Sequence, residues 1–402
     1  MNHDSVQKVC RVCLATKRKI AELSPDPTFL SMEENQRYLA LDVFRGMTVC
    51  FMIIVNSPGD WGYIYGPLQH ARWHGFTPTD LVFPSFLFAV GNAMAFAMQK
   101  YEALGESVFW QKTLKRTFLI FLIGFLLYWF PFYNFRTGTF DPISETRIPG
   151  VLQRIALCYF FASVILHYLS IRASVIVSGL LLVGYWIILY AFGDANDPYS
   201  LAGYAGNELD LLIFGEKHLY HGEGVAFDPE GLLSTIPAIV NVTAGYFAGR
   251  FIREKGNSYE SIARLMIAGA VIIFIALSWD MVFPINKKIW TSSFVLLTTG
   301  IDLFILSLLI YIIEMQRQKK WTYFFVVFGR NPLFIYILSS LLLTVFYMIP
   351  VGDTNLQRWI YRDFFGSFLS LVNASFAFAI FYTLINWTVG YFLDKKGIYV
   401  KV

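Results

Sequence analysis

The sequence predicts an all-α polytopic membrane protein, and three observations carry that prediction. Of 402 residues, 56% are hydrophobic and only 15% are charged, with a mean hydropathy of +0.52, too apolar for a soluble chain of this length. Apolar stretches recur that can cross a hydrocarbon core, which takes about 20 residues of helix. Lysine and arginine are divided unevenly between alternate connections.

Taken in order, the predicted spans are 39–58, 79–98, 114–132, 150–169, 173–192, 232–251, 262–280, 291–313, 322–349 and 366–392, ten in all. The ninth contains "GRNP", so Arg330, Asn331 and Pro332 are expected to break it or to make its start re-entrant. An even number of spans puts both termini on one side. That side carries 21 Lys and Arg against 8 on the other, with Arg45, Arg154 and Arg330 inside spans. The bias places the termini in the cytoplasm. It also accounts for the net charge of +4, so nucleic acid is not an expected partner.

The expected organisation is a cytoplasmic tail over 1–36, a membrane domain over 37–392 with an exported loop at 193–231, and a second cytoplasmic tail over 393–402. No cleavable signal is expected before the first span, because 1–36 is polar and the span itself is long and charged. Cys10 and Cys13 form "CRVC" without a second pair, which favours an ordinary tail over a metal knuckle. Cys50 and Cys158 read as small apolar fillers within spans.

Polar residues placed where lipid should forbid them are the more informative signal. Asp42 and Arg45 stand three apart on one helical face and can pair. The pair either pins the first helix or lines a polar cavity open to the cytoplasm. Arg154 and Arg330 add positive charge, and buried arginines with few acids suit an anionic ligand such as a phosphate. In "QHARWHGFTPTDLVFPSF", His70 and His74 would share a face if their segment were helical, and Asp80 follows at the mouth of the second span, with Thr79 as a cap-like residue. A metal site would need Asp80, or His218 and His221, to complete it, and no HxH or HExxH spacing appears. A histidine base oriented by a carboxylate fits better; two surface histidines in an aromatic belt is the plainer alternative. The 193–231 loop, which holds Asp228 and Glu230, is expected to shape or cover a pocket. No internal repeat supports the inverted symmetry common in secondary transporters.

Several separated stretches together resemble the heparan-alpha-glucosaminide N-acetyltransferase family over roughly residues 37–392. They are "LDVFRG", "HARWHGFTPTDLVFPSFLFAVG", "RIPGVLQRIALCYF", "FDPEGLLSTIPAI", "FPINKKIWTSSFVLLTTG" and "GRNPLFIY". The resemblance implies a membrane enzyme that moves acetyl from cytosolic acetyl-CoA to a glucosamine-like amine on the far side. His70, just before "ARWHG", matches the family's catalytic histidine, and Asn56 matches its asparagine at the end of the preceding helix. His74 stands where the animal enzymes carry a different polar residue. Their additional amino-terminal luminal region and membrane segment do not appear here, which agrees with ten spans rather than eleven.

On this reading Arg45, Arg330 and Asn331 are the expected cofactor-binding residues, with Asp42 holding Arg45. His74, Asp80, Arg154, Asp228 and Glu230 are expected at the substrate or behind the catalytic pair, with no metal. The expected partners are acetyl-CoA, an exported amino sugar or glycan and the lipid bilayer of a bacterial inner membrane, with monomer and homodimer both open. Two alternatives stand beside it: O-acylation of an envelope glycan, and transport of sugars or anions without chemistry.

Overall fold

The computed structural model describes residues 38–134 and 138–400, so Cys10, Cys13 and the 1–36 tail lie outside the described residues. The described chain is helical apart from two short antiparallel ladders, Tyr133–Asn134 with Thr139–Phe140 and Pro350–Val351 with Thr354–Asn355. Its main helices are α1 (Leu39–Asn56), α2 (Val82–Leu104), α3 (Glu106–Trp129), α4 (Val151–Tyr168), α5 (Ile171–Phe192), α6 (Ala205–Phe214), α7 (Leu232–Lys255), α8 (Tyr259–Asp280), α9 (Ser292–Leu309), α10 (Thr322–Arg330), α11 (Pro332–Met348) and α12 (Leu371–Lys395). The last of these runs past the expected start of the second tail.

Among the described residues, eight helices are long and apolar enough to cross a membrane, or nine if α10 and α11 count as one bent span. The sequence reading of ten differs at α3. That helix is 24 residues long, but Lys112, Lys115 and Arg116 fall within every stretch of it long enough to span. The expected break in the ninth span is present. Helices α10 and α11 meet at 84°, with Asn331 out of the helical conformation between them (φ −128°, ψ 50°) and Pro332 opening the second.

Packing is tightest where glycine lets backbones touch. A Cβ on Gly91 of α2 would lie 1.9 Å from the Val242 carbonyl of α7, and one on Gly245 would lie 2.0 Å from that of Phe88. Gly46 of α1 stands against the Phe325 carbonyl of α10 in the same way, at 1.8 Å. Such close approach is how helices associate when lipid removes the hydrophobic drive between them. Helices α5 and α8 instead leave large apolar side chains uncovered, among them Ile176, Leu180, Ile267 and Phe274. These are the surfaces suited to lipid. A separate aromatic cluster of Tyr185, Tyr204, Phe227 and Phe283 anchors the 193–231 loop over the end of the bundle where α2, α4, α7 and α9 begin.

Candidate active site

The connection between α1 and α2 ends in a short 3₁₀ turn, Pro78–Leu81, capped by Thr77 rather than Thr79. Proline suits the first helical position because its missing N–H would have no partner there. Asp80, three residues after the cap, reaches back as a capping carboxylate. Its Oδ2 accepts from the Thr77 N–H at 3.0 Å and the Ala71 N–H at 3.1 Å, and the Thr77 hydroxyl, which is 2.7 Å from the Gln69 carbonyl, lies 3.0 Å away. Its Oδ1 lies 2.7 Å from Nδ1 of His70. The carboxylate is 1% exposed while the imidazole is 38% exposed, so a buried acid holds a reachable base. With Nδ1–H donated to Asp80, the lone pair is on Nε2.

The segment around His70 is a loop, not a helix, and so the two histidines do not share a face. His74 turns instead to Asn286, with 3.4 Å between its Nδ1 and the amide Nδ2. Burial pushes the His74 imidazole below its ordinary value, against the upward pull of Asp197 and Asp280. Asn286 belongs to the "FPINKKIW" connection between α8 and α9, which docks here because the Gly75 N–H donates to the Ile285 carbonyl at 2.8 Å. The same connection delivers Lys287. Its Nζ lies 3.0 Å from His70 Nδ1, 3.3 Å from Nε2 and 3.6 Å from Asp80 Oδ1. Burial pulls the Lys287 ammonium below its usual range, opposed chiefly by Asp80 and Glu230. In the sequence, Lys287 carries no signal that sets it apart from Lys288 beside it. Neighbouring Lys288 pairs with Glu223 at 2.6 Å and lies 5.7 Å from the ring of Trp73, whose indole N–H donates to the Tyr199 carbonyl.

Asp228 and Glu230 converge on Arg147. The guanidinium donates to both carboxylate oxygens of Asp228, at 2.8 and 2.6 Å, and to Glu230 at 2.6 Å. The rings of Tyr128 and Tyr220 lie 4.8 and 4.9 Å from its carbon. Burial alone would lower its pKa, yet Asp228, Tyr128 and Glu230 hold it above the usual arginine range. Arg154 is fully buried one turn into α4. It donates to the Gly231 carbonyl and the Ser234 hydroxyl and stacks on Trp290 at 4.9 Å, leaving Nε and Nη1 without a hydrogen bond. His218 faces the Thr146 carbonyl at 2.6 Å rather than the two upstream histidines.

Asn56 is exposed at the end of α1 and makes none of the contacts that hold His70. Arg45, Asp42, Arg330 and Asn331 gather at the other end of α1 and around the α10–α11 break. Arg45 pairs with Asp42 at 2.8 Å and donates to the Gly329 carbonyl at 2.7 Å. Arg330 pairs with Asp394 at 2.5 Å, and its buried Nε has no hydrogen bond. Asn331 ties the chain end down through the Ile398 carbonyl and the Val400 N–H. The site residues therefore fall into two groups, one at the His70 loops and one at the start of α1. A surface cavity of about 510 Å³ lined by Asp353, Arg358, Trp359 and Arg362 includes none of them.

A family model described as heparan-alpha-glucosaminide N-acetyltransferase, catalytic, matches residues 37–278. The chain is 29% identical over 355 residues to the heparan-alpha-glucosaminide N-acetyltransferase of Homo sapiens, covering 75% of this chain and 52% of that protein. It is 28% identical over 361 residues to the Mus musculus protein of the same name, covering 75% and 53%. The chain thus spans about half the length of these relatives. His70, Asp80, Arg147, Arg154, Asp228 and Glu230 fall inside the matched region, whereas Lys287, Arg330 and Asn331 lie beyond it.

Proposed function

The chain belongs to the heparan-alpha-glucosaminide N-acetyltransferase catalytic family, and from that premise we propose that it transfers acetyl from cytosolic acetyl-CoA to an amino sugar on the opposite side of the membrane. The observation that carries the reading is the His70–Asp80 pair, an exposed imidazole whose Nδ1 is held by a buried, fully hydrogen-bonded carboxylate.

The chemistry asks for one proton acceptor. The acceptor's amine, as its free base, attacks the thioester carbonyl carbon, and the C=O electron pair moves onto oxygen. Nε2 of His70 takes the proton that the attacking nitrogen must shed. When the C–O⁻ pair returns, the C–S bond breaks, and the imidazolium gives its proton to the leaving thiolate. Asp80 stabilises the imidazolium between these steps without itself taking a proton. Asn56 is the proposed hydrogen-bond donor to the oxyanion. Arg147 with Asp228 and Glu230 forms the wall on which the acceptor's hydroxyls and amine would rest.

Donor phosphates are assigned to the Arg45–Arg330 group. Both guanidiniums already face carboxylates, so an anion bound here would share Arg45 with Asp42 and Arg330 with Asp394. The Lys and Arg bias counted over ten spans supports a cytoplasmic position for this group.

The test is transfer by purified full-length protein in proteoliposomes, given acetyl-labelled CoA and glucosamine. Labelled sugar stable to mild base supports N-acetyl transfer. Base-labile label would mean O-acylation, and sugar uptake without label would mean transport; either result rejects the reading.

A further inference from the structure

Among the described residues, Lys287 is the one charged side chain that touches the His70 ring without belonging to the histidine's own loop or to the mouth of α2. Its Nζ stands 3.0 Å from Nδ1 and 3.3 Å from Nε2. An atom that near both ring nitrogens lies over the face of the imidazole, since in the ring plane it would overlap Cε1. The in-plane lone pair of Nε2 is therefore left open to a substrate. Among the described residues two charges face His70: the Asp80 carboxylate in the ring plane and the Lys287 ammonium above it. Farther out, Glu230 and Lys288 act on Lys287 with opposite sign.

A cation over this face attracts the neutral ring and repels the imidazolium. Asp80 acts in the opposite sense, stabilising the protonated ring. We propose that Lys287 is a positioning residue that offsets Asp80, keeping His70 as the free base that accepts the proton of the acceptor amine. The role rests on the acetyl-transfer reading for its purpose, but its physical content does not depend on turnover. Lys287 lies beyond residues 37–278, which the family model matches, and reaches the site through the docking of the α8–α9 connection.

The experiment reads protonation directly. Diethyl pyrocarbonate modifies imidazole only as the free base, and at 38% exposure His70 is reachable. Full-length protein in nanodiscs is treated across about pH 5 to 8, and modification of the His70 peptide is followed by mass spectrometry. A unit charge at this distance is worth roughly one pH unit even at the dielectric of water. Lys287→Met should therefore raise the His70 midpoint by about one pH unit or more, while Lys287→Arg keeps it near the parent value. If the Met variant fails to fold, Lys287→Gln carries the same comparison. An unchanged midpoint in a folded neutral variant overturns the proposal. A shifted midpoint in a protein whose parent transfers no acetyl would reject the proposed function and leave this inference standing.

Discussion

Asp80→Asn is the perturbation that separates positioning of the base from simple folding. In the parent, Oδ2 of Asp80 faces two backbone donors and Oδ1 faces His70. Asparagine has one acceptor oxygen, and two backbone N–H groups hold it on one side. Turning the amide the other way would aim its NH₂ at the Ala71 and Thr77 N–H groups, leaving part-buried donors unsatisfied at about 1–3 kcal/mol each. The oxygen therefore stays with those donors, and the NH₂ faces His70. Nδ1 must then accept, the ring proton moves to Nε2, and the nitrogen aimed at substrate becomes a donor. Acetyl transfer should fall by roughly 10²–10⁴-fold, the usual contribution of a general base. That is about 2.7–5.5 kcal/mol in the barrier. Because the two backbone contacts survive, the cost to stability is confined to one charge-assisted hydrogen bond, about 1.5–3 kcal/mol. Single-turnover transfer of labelled acetyl, with thermal unfolding as a control, measures both. A folded Asp80→Asn protein that transfers within a few-fold of the parent would refute the reasoning.

Orientation is tested at Val225, exposed in the 193–231 loop. Val225→Cys in intact cells should react with an impermeant thiol reagent from outside; labelling only after membranes are opened would reverse the topology. Arg45→Ala should weaken acetyl-CoA binding by about 1.5–3 kcal/mol if the guanidinium meets a phosphate, with little change for the acceptor, as isothermal titration can read. Unchanged cofactor affinity in folded protein would leave Arg45 as a pin between α1 and the Gly329 carbonyl. Asp210 on α6 has its pKa raised to about 7, mainly by burial and then by the charge of Asp228, against the Leu232 N–H and Arg154. Its unfolded value is about 3.9, so the folded state holds the extra proton between the two values and the contribution to stability falls as pH rises from about 4 to about 7. Asp210→Asn should flatten that part of the melting-temperature profile, and an unaltered slope would assign it to another group.

Local and compositional features were legible in the sequence, and contacts made across loops were not. Apolar length located the helices, and the missing N–H of Pro332 located the break between α10 and α11. The Asp42–Arg45 pair follows from helical spacing alone. Helix α3 was counted as a span on its apolar second half, although its first half carries three cations. His70 and His74 looked equivalent at four residues apart, but the loop sends one to Asp80 and the other to Asn286. Lys287 is 217 residues from His70, and nothing in "INKK" distinguishes it from Lys288. The Arg147 pairs with Asp228 and Glu230 were likewise hidden, since both ends lie in loops whose meeting depends on tertiary packing.

The central claim is that His70 performs the proton transfer, and single-turnover acetyl transfer by His70→Ala at saturating acetyl-CoA and glucosamine tests it most directly. The account predicts a loss of roughly 10²–10⁴-fold in a protein that folds and still binds acetyl-CoA, with His74→Ala much milder because that ring faces Asn286. Near-parent transfer by folded His70→Ala, or a dead His74→Ala beside an active His70→Ala, would contradict it.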